Sequence, residues 1–493
     1  MLATGHRRDA RAWRGSSQAD PDNAAPTSYV ACLAASLLLM LSTLLFNGAL
    51  GRAYGSVDGF APDWSTAAGA VALVALTAVS RRRPGALVPA TCTAVAVALL
   101  LAGHLAAGAG MRLGSAALVI AGVCIQAAAQ AWVTLLWLLA CSRLDTRGAC
   151  ACIAGGCALA MPVAWALSLV VTAMAAQVAD VACHLGAIAL SFPMARGPLG
   201  RAASMGTAPV DREISQPRAF VPLGHRLFAY FLAFGVAYGF ALRTGGGQGS
   251  MTSNALAACA MLAVALYCVA LGRPPRADAL FRLSFLLVLC GFLLVLVGSA
   301  LASSLASKLL VTGFLCFELL VWMAVCSVAR RSAADAVPAI AWGTAASYAG
   351  IFLGAQLGMV ETWLATRDAT AGALLVAAVL ALIVTYVVFT LGGFSIDATL
   401  DAVERDAPVP EPIPAERLVD AFDARCDEIS ADAGLTPRED QVMRLLARGN
   451  NAQHVTEELC VSRNTVKFHA RNVYAKLGVH SQQELIDLVA RTR

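Results

Sequence analysis

Val461-Ser462-Arg463-Asn464-Thr465-Val466-Lys467-Phe468-His469-Ala470-Arg471-Asn472-Val473-Tyr474-Ala475-Lys476-Leu477-Gly478 decides what kind of domain closes this chain. Val466, Ala470, Val473 and Leu477 recur at four, three and four residues, the spacing of one buried helical stripe. Asn464, Lys467, Phe468 and Arg471 fall on the opposite side. Ser462 stands where it caps this helix and Gly478 where it ends it. Three more helices are punctuated around it. Thr436-Pro437-Arg438-Glu439 has the form of a capping box with proline at the first helical position. It predicts a helix that buries Val442, Leu445 and Leu446 and stops at Gly449. Asn451 caps a short helix that buries Val455 and Leu459, with Cys460 and Val461 as the turn. Ser481-Gln482-Gln483-Glu484 reads as a second capping box, opening a helix with Leu485, Leu488 and Val489 inward. Residues 435–493 thus form a four-helix module with a helix-turn-helix at its centre.

The outward side of the 463–477 helix carries the chemistry. A helix of this size fits the DNA major groove, with its N-terminal half against base edges. Lys467 and Arg471 can donate to guanine O6 and N7 or to phosphate, and Phe468 can meet a thymine methyl. Arg463, Asn464 and Thr465, in the first turn, suit phosphate oxygens. The plain alternative is a charged solvent face, but a phenylalanine set among cations is unusual there.

Upstream, the composition changes completely. The 493 residues are 58% hydrophobic and 14% charged, with a mean hydropathy of +0.69, outside the range of soluble globular chains. The apolar residues fall in long runs, and a bilayer core needs about 20 such residues per helix. Twelve spans are expected, at 29–50, 65–80, 86–107, 115–140, 149–173, 177–194, 227–242, 252–271, 283–301, 309–328, 337–358 and 370–394, so the fold class is all-α. With the N-terminus cytoplasmic, nineteen arginines between Arg7 and Arg331 fall on the inner side, while Arg52, Arg112, Arg243, Lys308 and Arg367 fall outside. That bias follows the positive-inside rule. An even number of spans then returns the C-terminal module to the cytoplasm. Arg7-Arg8 is followed by Asp9 and a polar stretch, so residues 1–28 read as a cytosolic basic tail. The expected location is the cytoplasmic membrane, multi-pass, with both termini inside.

The proline-containing loop 195–226 divides the spans six and six. That layout resembles the major facilitator transporter plan, in which two halves enclose a midplane site. The family's loop between spans two and three carries an acid among its basic residues; Ser80-Arg81-Arg82-Arg83-Pro84-Gly85 lacks one, which argues against active transport. Polar residues within spans mark a candidate ligand cavity: Glu318, taken as the only acid deep in a span, with Trp322 one turn on, and Gln126 with Gln130. The competing account of each is interhelical hydrogen bonding. Asp180 and His184 share a face of the sixth helix near its outer end. The Gly245-Gly246-Gly247-Gln248-Gly249 run reads as a turn, with no phosphate-loop lysine after it. The fifteen cysteines lie mostly in apolar runs, and Cys150, Cys152 and Cys157 lack paired metal-ligand spacing, so they read as packing residues. No metal, cofactor or catalytic set is expected.

Residues 395–434 form an acidic linker, with eleven acids against three arginines. Pro408, Pro410, Pro412 and Pro414 favour an extended spacer. From Ala415 to Asp432, Leu418, Phe422, Cys426 and Ile429 mark an amphipathic helix whose other face is acidic. That face either keeps the module off anionic lipid or covers its basic surface.

Leu435-Thr436-Pro437-Arg438-Glu439, Leu446-Ala447-Arg448-Gly449, Val461 to His469 and Lys476-Leu477-Gly478-Val479 together closely resemble the LuxR-type (GerE-like) helix-turn-helix of bacterial regulators, over all of 435–493. The resemblance implies that Lys467, Phe468 and Arg471 face the bases, that the last helix pairs two copies as a homodimer, and that His469 is structural. The sequence departs from the family at His454, usually an acid, at Thr456, often alanine, and at Gln482, commonly arginine. The Thr456 hydroxyl lies near helix packing and costs stability if unpaired. The whole layout resembles membrane-bound LuxR-type regulators: double-stranded DNA and the bilayer as partners, an unknown small molecule as signal. The alternative is a major-facilitator-like transporter with a regulatory DNA-binding tail.

Overall fold

The computed structural model describes residues 26–169, 172–204, 221–244, 251–297, 299–332, 335–391, 395–403 and 419–490. The basic N-terminal tail, the centre of the 195–226 loop, the Gly245–Gly249 run and the proline spacer lie outside the described residues.

Among the described residues, twelve helices are long and apolar enough to cross a membrane. In chain order they are α1 Pro26–Gly55, α2 Ala61–Arg82, α3 Pro89–Leu113, α4 Ala116–Cys141, α5 Thr146–Ser168 and α6 Ala173–Ser204. After the central loop come α7 Arg226–Thr244, α8 Met251–Leu271, α9 Ala277–Val297, α10 Ala300–Arg331, α11 Ala336–Ala365 and α12 Ala369–Leu391. Most run past their expected spans, because hydrophobicity marks only the apolar stretch while backbone hydrogen bonding continues through polar ends such as Arg81-Arg82 and Arg330-Arg331. The expected span 283–301 is corrected at its far end. Ser299 caps the next helix, its Oγ accepting from the Ala302 N–H at 3.2 Å, so the chain turns there.

Within the first six helices, α3 packs on α4, and α1 on α5 and α6; within the last six, α7 packs on α11, and α9 on α10. The two groups meet along α2 with α11 and α5 with α8. Side chains such as Val71, Leu105, Leu266 and Leu382 point outward and are largely exposed, as a lipid-facing surface requires. Contact between helices depends on small residues. A methyl group on Gly239 of α7 would collide with the Ile351 carbonyl oxygen of α11, and one on Gly354 with the Val236 carbonyl oxygen.

A short helix, α13 Ile396–Ala402, follows the last span and packs on α9 and α10. Its Ile396 is buried. Arg331, at the end of α10, donates to the carbonyl oxygens of Leu400 and Val403 and pairs with Asp401 at 3.1 Å.

The C-terminal domain has its own core. Its helices are α14 Val419–Asp432, α15 Pro437–Ala447, α16 Ala452–Leu459, α17 Arg463–Leu477 and α18 Gln482–Ala490. Cys426 and Ile429 of α14 are buried with Val442, Met443, Leu446, Val455, Val466, Ala470, Val473, Tyr474 and Leu485 in one cluster. The linker helix is thus a fifth helix of this core. Burial in that cluster also pushes the Cys426 thiol up to about 11.

Candidate nucleic-acid interface

The caps expected from the sequence hold the domain's helices. Thr436 Oγ1 accepts from the Glu439 N–H, and Glu439 Oε2 accepts from the Thr436 N–H at 2.9 Å, a complete capping box. Asn451 Oδ1 accepts from the His454 N–H at 2.9 Å, and Ser462 Oγ from the Thr465 N–H at 3.1 Å. The second expected capping box is only half formed. Ser481 Oγ accepts from the Glu484 N–H, but Glu484 reaches back one residue further, to the His480 N–H at 2.8 Å.

The turn between α16 and α17 pivots on Cys460, the one non-glycine residue with positive φ (51°) among the described residues. It closes α16 in the left-handed conformation, which a Cβ disfavours. The Thr456 hydroxyl is satisfied, donating to the Ala452 carbonyl at 2.7 Å.

α17 is two-faced as the spacing required. Val466, Ala470, Val473 and also Tyr474 are buried, with Leu477 partly so. On the other side Phe468 is 61% exposed, Asn464 and Arg471 are exposed, and Arg463, Thr465 and Lys467 are half-buried. A benzyl group held in water beside cations is a poor stabiliser of the free domain.

Two ties hold α17 and α18 against α15, and neither was legible in the residue spacing. Lys476 Nζ donates to Glu439 Oε2 at 2.7 Å and to the Gly434 carbonyl at 2.9 Å. The Lys476 ammonium, with the Thr436 N–H, holds the Glu439 carboxyl down at about 2. Gln482, at the position where the family commonly has arginine, is buried. Its Nε2 donates to the Leu446 and Asn450 carbonyl oxygens, both at 2.9 Å, closing the C-terminal end of α15.

Acids of α14 and of α15 itself engage Arg444 of α15 and Arg448 at its C-terminal cap. Arg444 donates to Asp440 at 2.8 Å and to Asp427, and Arg448 donates to Asp423 at 2.9 Å. Arg448 also lies over the Phe422 ring, 5.2 Å from its centre. The Asp440 and Asp427 carboxylates hold the Arg444 guanidinium above its ordinary range.

The candidate cavity residues do not form one group. Gln126 donates to Asp180 at 2.8 Å, between α4 and α6. Glu318 accepts from the Ser347 hydroxyl at 2.6 Å, between α10 and α11. Trp322 meets Trp137 edge to face, with ring centres 5.2 Å apart, and Trp137 in turn donates to Ser36 at 2.9 Å. Gln130 is half-buried. Glu318 is not the only acid deep in a span, since Asp180 is wholly buried. α6 begins at Ala173 and runs on to Ser204, which puts Asp180 two turns inside it. A small cavity between α4, α5 and α10 is lined by Cys141, Ser142, Thr146, Met323 and Arg330 instead.

Residues 433–489 match the family of bacterial regulatory proteins, luxR family (GerE). The chain is 43% identical over 56 residues to the fimbriae Z protein of Salmonella typhimurium, covering 11% of this chain and 27% of that one. It is 37% identical over 76 residues to the uncharacterized response regulatory protein YgeK of Escherichia coli, covering 15% of this chain and 52% of that one. The chain therefore spans about a quarter and about half of the length of these two relatives. Among solved structures it is similar to the human organic anion transporter MFSD10 (17% identity, TM-score 0.45, 72% of this chain and 98% of that one). It is also similar to the nucleoside transporter NupG (13% identity, TM-score 0.43, 76% and 98%). Among its described residues the chain joins twelve helices of membrane-spanning length to a carboxyl-terminal helix-turn-helix domain that matches the luxR family over residues 433–489.

Proposed function

We propose that the protein is a membrane-tethered, one-component transcription regulator. The domain formed by α14–α18 binds double-stranded DNA, with the outward side of α17 in the major groove. Lys467, Phe468 and Arg471 face bases or phosphates, and Arg463, Asn464 and Thr465 approach the backbone at the helix N-terminus. The membrane region sits in the cytoplasmic membrane with both ends of the chain inside, and it senses a small molecule. A change there alters pairing of two domains through α18, or their access to DNA. One observation carries this reading: Phe468 and Arg471 stand exposed on a helix whose opposite side is locked into the core.

Mapping DNA bound by the full-length protein in cells tests it. Discrete sites are expected, lost when Lys467 and Arg471 are both replaced by alanine. Binding spread evenly over the genome, or unchanged in that variant, contradicts it.

A further inference from the structure

A cluster of polar side chains lies where four of the first six helices meet. Asp180 of α6 is wholly buried, and three donors surround its carboxylate. Ser42 Oγ of α1 is 2.6 Å from Oδ1, while His104 Nε2 of α3 and Gln126 Nε2 of α4 are each 2.8 Å from Oδ2. His184, one turn along α6, lies 3.7 Å from Oδ1 through Nδ1. The other titratable groups facing the cluster are Tyr54 at the end of α1 and Cys183 of α6, both buried. Gln177 of α6 is tied to α3, donating to the His104 carbonyl at 2.6 Å.

The ring of His104 fixes where hydrogens must be. Its Nδ1 is 2.8 Å from the Leu100 carbonyl oxygen, which can only accept, so Nδ1 carries a hydrogen. A neutral imidazole would then present a bare Nε2 lone pair to Asp180 Oδ2 at 2.8 Å. Two acceptors do not sit at that distance with nothing between them. One further proton is therefore required there. Gln126 shows which form of Asp180 the packing serves. It commits its amide N–H to Oδ2 although its own buried Oε1 is left without a donor. An ionised carboxylate demands such donors.

We propose that His104 and Asp180 form a proton-binding site, holding one proton between them as an imidazolium–carboxylate pair that joins α3 to α6. Withdrawing that proton sets lone pair against lone pair and leaves a buried carboxylate unneutralised. The α3–α6 contact must then open or rearrange. Packing of the first six helices is in this way linked to proton concentration, independently of whether the C-terminal domain binds DNA.

The test uses the full-length protein in detergent micelles, with its seven histidines labelled with nitrogen-15. At pH 7 one histidine is expected to show both ring nitrogens protonated, and this signal should vanish in His104→Gln. In Asp180→Asn the new amide donates to a neutral Nε2, so the contact persists and the His104 signal changes to that of the neutral ring. The wild-type unfolding midpoint should fall as pH rises through the loss of the imidazolium signal, and Asp180→Asn should lack that fall. A neutral His104 accompanied by an infrared band of a protonated carboxyl that disappears in Asp180→Asn puts the proton on Asp180 and overturns the imidazolium–carboxylate form. A neutral His104 with no such band, at pH 7 in the wild type, overturns the proposal. If Asp180→Asn does not fold, the wild-type spectra and His104→Gln decide.

Discussion

Asp278 and Asp397 cap each other's helices. Asp278, in the first turn of α9, accepts through Oδ1 from the Ile396 N–H at 2.8 Å and through Oδ2 from the Ser395 hydroxyl at 2.6 Å. Asp397, in the first turn of α13, accepts from the N–H groups of Ala277 and Asp278 at 2.9 and 3.2 Å. Each carboxylate serves the amide groups that the other helix leaves unsatisfied at its start. With Arg331 closing the other end of α13, the last element before the linker is fastened to α9 and α10. A rearrangement of those two spans would move it.

Replacing Asp397 with alanine removes acceptors from two helix-start amides, and cap losses of this kind cost about 0.5–2 kcal/mol. We expect a lower unfolding midpoint for the purified protein and faster protease release of its C-terminal part. Asp397→Asn should fall between. An unchanged cleavage rate in Asp397→Ala would show that this junction is not a fixed coupling.

Cys460 carries a side chain where the backbone is left-handed. Glycine there relieves the Cβ clash, offset in part by its greater freedom in the unfolded chain. Cys460→Gly should stabilise a 419–493 fragment by about 0.5–1 kcal/mol in urea titrations. A loss of stability would mean that the sulfur contributes packing that outweighs the strain.

Gln482 is buried and spends its amide hydrogens on two carbonyl groups. Methionine fits its volume and donates nothing. Gln482→Met should lower fragment stability by about 1–3 kcal/mol, the cost of unsatisfied buried acceptors. Arginine, which keeps N–H donors, should cost less. Equal losses for both would make shape, not hydrogen bonding, the role of this residue.

Glu439 governs the domain's response to acid. Its folded carboxyl is held at about 2, below the ordinary 4.5, by Lys476 and the Thr436 N–H. Its contribution is fully present above about pH 4.5 and is lost as pH falls toward 2. Stability of the fragment followed from pH 5 to 2 should therefore fall across that window, and the fall should be smaller in Glu439→Gln. At neutral pH that variant should be less stable by about 1.5–3 kcal/mol, as for hydrogen bonds to charged groups.

What could be read from residue order was local. Caps at Thr436, Asn451 and Ser462, the buried stripe of α17 and the twelve apolar helices follow from spacing and composition, and all are present. What escaped was which elements meet. The period of Phe422, Cys426 and Ile429 marks an apolar side of α14 but not that it completes the core beside Val442. A glutamine in place of arginine at 482 gave no sign that it would reach the end of α15. His104 lies 76 residues from Asp180, and nothing in the helical repeat of either segment announces the other. An ionisable residue in an apolar run is the signal such a site offers, and it marks Glu318 and the Asp180–His184 pair without pointing to His104.

In the proposed function the outward side of α17 reads DNA. The most direct measurement is binding of a 419–493 fragment to its mapped sites over a range of salt concentrations, compared with the Lys467→Ala, Arg471→Ala double variant. Weaker binding by the variant is expected, with a log-affinity against log-salt slope shallower by about one for each phosphate-contacting cation removed. Phe468→Ala should reduce discrimination between sites while leaving that slope unchanged. Equal affinity and equal slope for fragment and double variant, with the fold intact, would contradict it.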